Sequence, residues 1–212
     1  MYSPKHFEEL RPEVLHGMIR SCPLAALVTL GTDGLVVNHL PFLLDTAAGE
    51  FGTLRGHMAR ANPMCRQFSD RLESIVIFQG TNAYISPNWY PGKRDQGKAV
   101  PTWNYAVVHA HGFPRIVEDG AWLLQNVSEM SDAQEALQRV PWKVADAPGE
   151  YIDGLLKAIV GIEIPIAKLV GKWKVSQNRP AADRQGVIDG LEARNDPQSL
   201  AMAALVRQAM SE

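Results

Sequence analysis

Residues 24–30 are an apolar run interrupted only by Thr29, Gly31-Thr32-Asp33-Gly34 makes a turn, and residues 35–44 are a second run rich in Val and Leu. Two such runs joined by a glycine-flanked reversal read as a β-hairpin, because each is too short for a helix to bury. Further strands are expected at residues 51–57, 74–79 and 105–116. A long late strand is expected over residues 159–176, with Ile162, Ile164 and Ile166 on one side and a bend at Pro165 or Gly171. Strands recurring with short connections belong to a barrel or a sandwich.

Helical periodicity flanks this β pattern. It covers residues 12–20 ahead of Pro23, residues 118–138, where Ser131 and Gln134 match a capping box, and residues 148–158. The chain ends in a helix with Asp196 as N-cap, Pro197 at the first position, and a stripe of Leu200, Ala203, Ala204, Val206 and Met210. No repeat, low-complexity tract or linker interrupts the pattern, so residues 1–212 are expected to form one domain. With 21 basic and 23 acidic residues the net charge is −2, which gives no bulk field for nucleic acid or anionic lipid. Cys22 and Cys65 stand far apart without zinc-type spacing, no apolar run approaches the length of a membrane span, and the first residues are polar. A cytoplasmic setting is the resulting expectation.

The segment from Arg55 through His57, Arg60 and Asn62 to Pro63 marks a strand ending and a helix beginning. Asn62 is a strong N-cap and Pro63 suits the first turn. Free N–H groups there, with Arg60 and His57 nearby, make a seat for a phosphate, which an arginine fork fits well. The same residues also read as a plain surface cap with a solvated Arg60, and caps are commoner than ligand sites.

Residues 82–104 hold prolines, tryptophans and tyrosines that no regular element accommodates, so a long aromatic loop is expected. Its clusters at residues 83–90 and 100–105 either wall a planar heteroaromatic ligand or pin the loop to a barrel end. His109 and His111 alternate onto one strand face, a spacing that can chelate a metal, but no third ligand is evident and hydrogen-bonded histidines are the favoured reading. Lys172, Lys174 and Ser176 share a face opposite Trp173, which suits an anionic ligand or protects a sheet edge. Cys65 has no partner base and receives no role. Phosphate-loop, dinucleotide, nucleophile-elbow and zinc-protease motifs are absent, and no residue stands out as a catalytic acid or base.

Four blocks resemble the PaiB family of FMN-binding negative transcriptional regulators, which are similar to the pyridoxamine-phosphate-oxidase-like split barrels. They are residues 57–63, residues 83–91, residues 100–105 with His109 and His111, and residues 171–180. The sequence departs from the family pattern at Thr81-Asn82, Met64-Cys65 and Gln134-Glu135. The resemblance implies an α+β, mainly β fold: a six-stranded antiparallel split β-barrel with peripheral helices, dimeric, with FMN at the subunit interface. By the same resemblance the FMN phosphate meets His57, Arg60 and Asn62. Tyr84, Ser86, Thr102, Trp103 and Asn104 line the flavin, and Lys174 and Gln177 close the site. A flavin-dependent oxidoreductase is the first functional reading. A negative transcriptional regulator acting through DNA or a protein partner is the second, with direct DNA contact disfavoured by the charge. Haem binding through His109 or His111 is the third.

Overall fold

A computed structural model describes residues 1–31, 34–67, 72–93 and 97–211. Thr32 and Asp33 of the expected turn, and residues 94–96 of the expected loop, lie outside the described residues. The chain runs through strand β1 (Glu8–Glu9), helix α1 (Pro12–Ser21), strands β2 (Leu24–Gly31), β3 (Gly34–Pro41), β4 (Leu43–Asp45) and β5 (Thr53–Ala59), and helix α2 (Met64–Gln67). Strands β6 (Ser74–Ile85), β7 (Thr102–Gly112) and β8 (Arg115–Val117) follow, then helices α3 (Gly120–Glu135) and α4 (Gly149–Lys157). Strand β9 (Ile159–Lys174) and helices α5 (Ala181–Arg194) and α6 (Pro197–Ser211) complete the order.

The protein is α+β with a mainly antiparallel sheet, in the strand order β3-β2-β6-β7-β9-β5-β4, with β1 and β8 also paired to β9. Nine strands are described where six were expected, and the extra ones are β1, β4 and β8, of two or three residues each. The expected 35–44 strand breaks at Phe42, whose side chain is buried and meets Phe78 edge to face at 6.4 Å. The 105–116 strand breaks before Pro114, which has no N–H for a ladder. Phe42 also joins β3 to β4, the two ends of the otherwise open strand order.

Contacts gather the chain into two units, one of residues 1–18, 79–108 and 170–212, the other of residues 19–78 and 109–169. In the second unit β2 and β3 pair through Leu27↔Asn38 and Val28↔Val37. Alternation puts Ala25, Leu27 and Thr29 inward, and leaves Leu24, Leu30, Leu35 and Val37 exposed on the other face. Strand β5 pairs with β9 from Thr53↔Pro165 to Ala59↔Ile159, and Leu54, Met58, Val160, Ile162 and Ile164 are buried along this pairing. Helix α3 starts at Asp119, whose carboxylate accepts the Trp122 N–H at 2.7 Å. The capping box expected at Ser131 is therefore corrected: Ser131 lies inside the helix and its hydroxyl donates one turn back to the Val127 carbonyl at 2.8 Å.

In the first unit α5 and α6 pack through Val187, Ile188, Leu191, Met202, Ala203 and Val206, together with Ile85, Tyr90 and Val175. Asp196 caps α6 by accepting the Ser199 N–H at 2.9 Å. The buried stripe is Ser199, Met202, Ala203 and Val206, so Leu200 and Ala204 of the expected stripe turn outward. Helix α5 has no counterpart in the sequence reading. Gly186 and Gly190 interrupt its helical signal, each costing about 1 kcal/mol against Ala in an open helix. The structure shows why glycine stands there. A Cβ at Gly186 would lie 1.9 Å from the Trp89 carbonyl oxygen, and one at Gly190 would lie 2.3 Å from the Trp89 ring. The expected loop is shorter than residues 82–104, because β6 runs to Ile85 and β7 begins at Thr102; Trp89 pins what remains to bare helix backbone.

Gly186→Ala would stabilise a solvent-facing helix, but here it collides with rigid backbone and should destabilise the chain by roughly 1–3 kcal/mol. The sign of the urea midpoint shift decides, and a rise would contradict the Trp89 contact.

Candidate functional site

Strand β5 carries Leu54 and Met58 into the core, so its alternate residues Arg55 and His57 point the other way. Arg55 pairs with Glu129. His57 Nδ1 is buried with no partner among the described residues, and burial holds the imidazole pKa below its ordinary value. His57 is thus a neutral hydrogen-bonding group at neutral pH rather than a cation.

Past the end of β5, Arg60 fastens the corner to the start of β9. Its Nη1 donates to Glu118 at 2.6 Å, its Nε to the Lys157 carbonyl at 3.1 Å and its Nη2 to the Ile159 carbonyl at 3.2 Å. The Arg60 and Glu118 side chains are 44% and 66% exposed. An ion pair that open contributes about 0–1 kcal/mol, so a stronger anion can replace Glu118 at little cost. Asn62 acts as the cap expected of it, accepting the Met64 N–H at 3.0 Å while its amide donates to Asn38 at 2.8 Å. Its side chain is therefore committed to the turn. Cys65 Sγ lies 3.6 Å from the Ala59 carbonyl, and burial raises the thiol pKa.

The first unit brings together most of the remaining residues singled out by sequence. Lys174, at the end of β9, donates to the Thr102 hydroxyl and, at 2.7 Å, to the Trp103 carbonyl. The Trp103 and Tyr84 rings meet edge to face at 6.1 Å, and both side chains are exposed. Asn104 is buried and donates to the Ser176 hydroxyl at 2.9 Å. Ser176 has φ 67°, the left-handed region, which a non-glycine residue occupies only when its surroundings hold it. Gln177 supplies part of that hold: its Oε1 accepts the Val175 N–H at 2.8 Å and its Nε2 donates to the Trp173 carbonyl at 2.6 Å. Ser86 caps the short turn Pro87–Trp89 by accepting the Asn88 N–H at 3.2 Å. Ser86 and Gln177 are thus tied into their own turns, while Tyr84, Trp103 and Lys174 present rings and charge.

Two further groups complete the inventory. Lys172 is buried between the Tyr2 and Tyr105 rings, 5.9 and 5.2 Å from their centroids, and donates to the Tyr2 carbonyl at 3.0 Å. His111 Nδ1 meets Glu73 at 3.0 Å while its buried Nε2 has no partner among the described residues; burial lowers the His109 pKa. Among the described residues no group of three or more His, Cys, Asp or Glu is placed to share a metal. Sequence reasoning gave no individual role to Tyr90, within the 83–90 cluster, or to Arg179, within the 171–180 block; the Arg179 guanidinium lies 4.8 Å from the Tyr90 ring. Only a basic residue soon after the Lys-Trp-Lys strand hinted at Arg179.

A mainly antiparallel sheet built on six long strands, with short strands at its margins, is the architecture of a split barrel. Residues 1–168 match the family described as "Putative FMN-binding domain", and the chain belongs to that family. An uncharacterized protein of Emericella nidulans is 35% identical over 98% of this chain and 97% of its own length. The Bacillus subtilis "Protease synthase and sporulation protein PAI 2" is 29% identical over 100% of this chain and 99% of its own, in line with the PaiB resemblance. Among solved structures, the FAD and haem binding protein of Mycobacterium smegmatis superposes with a TM-score of 0.57 at 13% identity, over 79% of this chain and 73% of that one. This likeness shows the split-barrel fold.

The buried imidazole generates a pH prediction. Unfolded His57 takes a proton near pH 6.5 while the folded residue resists it, so stability is complete above about pH 6.5 and falls as the pH drops through the lowered folded value. His57→Gln should flatten this acid loss below about pH 6.5, measured by urea midpoints. An unchanged slope would reassign the loss to other groups.

Proposed function

We propose that the chain is a cytoplasmic, homodimeric oxidoreductase that uses FMN as its redox cofactor. The observation that carries this reading is the cluster in which Lys174 is bonded to Thr102 and Trp103 while the Tyr84 and Trp103 rings stand exposed beside each other. Exposed rings with one fixed cation suit a planar, electron-accepting heteroaromatic system. In the other unit, the orphaned His57 Nδ1 and the exchangeable Arg60–Glu118 pair suit a phosphate.

Each unit thus offers donors of a kind that FMN needs: in one, Arg60 and His57 would hold a phosphate, with Asn62 shaping their turn, and in the other Tyr84, Thr102, Trp103 and Lys174 would flank a flavin ring. When bound, FMN supplies hydride and single-electron transfer. The chain's own contribution is electrostatic and positional. Lys174, held by Thr102 and the Trp103 carbonyl, favours negative charge on a group beside it, and the Asn104–Ser176 bond keeps the turn that follows in place.

The homodimer is supported by the outward face of β2 and β3. Register pairs Leu24 with Pro41, Val28 with Val37 and Leu30 with Leu35, and the row is apolar except for His39. Leu24, Leu30, Leu35 and Val37 are 65%, 46%, 75% and 53% exposed, where a sheet face left in water normally carries polar residues. A second reading, regulation of transcription through a protein partner, draws on the PaiB resemblance and could use the same face. Direct DNA binding is weakened by the net charge of −2.

Purified protein should show flavin absorbance, and Arg60→Ala should weaken FMN binding by about 10–100-fold, the worth of a charge-assisted phosphate contact. Unchanged FMN retention would remove Arg60 from the phosphate site. Leu35→Glu with Val37→Glu should convert the dimer to a monomer in light scattering, and a wild-type monomer would overturn the dimer assignment.

A further inference from the structure

Beside the Asn104–Ser176 bond lies a small cleft lined by Tyr90, Thr102, Asn104, Lys174, Ser176 and Arg179, with Asn178, Val100 and Pro101 at its margin. Its volume is about 120 Å³. Liquid water occupies about 30 Å³ per molecule, so the cleft holds a few waters or one compact group. It is far smaller than the ~300 Å³ at which pockets begin to enclose drug-sized ligands, and a flavin ring does not fit inside it.

The chemistry of the lining is one-sided. Lys174 and Arg179 both face the cleft, and neither has a carboxylate partner among the described residues. Burial and then repulsion from Lys172 and Arg179 lower the Lys174 pKa, the signature of cations gathered without a counter-ion. Tyr90 is 2% exposed, and its buried phenol oxygen meets no partner at full hydrogen-bond geometry among the described residues, although the Arg179 guanidinium lies close enough to interact with it and the Asp183 carboxylate also acts on it. Burial raises the Tyr90 pKa, so the phenol keeps its proton and can donate. A buried donor without full hydrogen-bond geometry gains from an acceptor placed in the cleft. The Thr102 hydroxyl adds a third kind of polar group. Ser176, in its left-handed conformation, directs the chain around the cleft and places Arg179 opposite Tyr90.

We infer that this cleft is a receptor for one compact oxyanion, the phosphate or carboxylate group of a small molecule, held by Arg179 and Lys174 with the Tyr90 hydroxyl as a neutral donor. An arginine fork and an ammonium on one oxyanion are the usual means of fixing such a group. Within the flavin reading the anion belongs to a substrate or effector rather than to the cofactor; that assignment rests on the flavin reading, but the binding itself does not.

The test titrates flavin-free protein with orthophosphate and, separately, with malonate, followed by calorimetry. Saturable binding of at least one anion is expected, and the stronger of the two identifies the phosphate or the carboxylate class. Measured on Arg60→Gln protein, so that the proposed cofactor phosphate seat does not contribute, Arg179→Gln should weaken it by about tenfold or more and Arg179→Lys should recover part of the loss. Thermal midpoints of both Arg179 variants separate a lost ligand from a lost fold, since Arg179→Lys keeps the charge over Tyr90. On FMN-loaded protein saturable anion binding sensitive to Arg179→Gln should persist, because Arg179 and Tyr90 lie outside the residues proposed to flank the flavin ring. Absence of saturable binding, equal binding by Arg179→Gln, or competition by FMN would each overturn the proposal, the last by assigning the cleft to the cofactor's own phosphate. If the chain holds no FMN, the flavin-free titration still decides whether the cleft binds an oxyanion.

Discussion

Strand β9 is the constraint on which the rest of the structure depends. Along Ile159–Pro165 it pairs with β5, and β8 pairs with it along Gly161–Glu163; β1 joins it at Gly171 and Lys172. Ile162, Ile164 and Ile166 are buried from one side of this strand, so a slip of one residue would turn that row to the opposite face. Its register therefore fixes where it ends. The turn after Lys174 follows directly, and with it the left-handed Ser176 and the approach of Arg179 to Tyr90.

The charged groups at the candidate site divide by how firmly they are held. Arg60 is tied to two backbone carbonyls and to an exposed carboxylate, so only the carboxylate is readily exchanged. Lys174 is tied to a hydroxyl and a carbonyl, which orient it without neutralising it. These are two ways of keeping a cation positioned while leaving its charge available. Asn62, Ser86 and Gln177 do the complementary work, spending their polar atoms on the turns that carry these cations and rings.

Family membership agrees with what these groups can do. The matched region, residues 1–168, includes the His57–Asn62 corner and the Tyr84 to Asn104 cluster, whereas Lys174, Ser176 and Arg179 lie beyond it. The small cationic cleft thus combines residues inside the family region with residues past its end.

The long strands and the Asn62 and Asp196 caps were legible in the sequence, as were the aromatic and basic clusters on which the proposed site rests, because apolar runs, turn residues, alternation and cap chemistry are local signals. Helix α5 was hidden: Gly186 and Gly190 look like helix breakers until Trp89, nearly a hundred residues away, is seen to need their missing side chains. The Ser131 capping box failed for the same reason, since a serine inside a helix and one at its start carry the same local sequence. Whether Arg60 is free or paired, and whether Arg179 meets Tyr90, depended on residues distant in the chain. Local sequence sets which elements form, and only tertiary packing decides which polar groups have partners and which keep their charge available for a ligand.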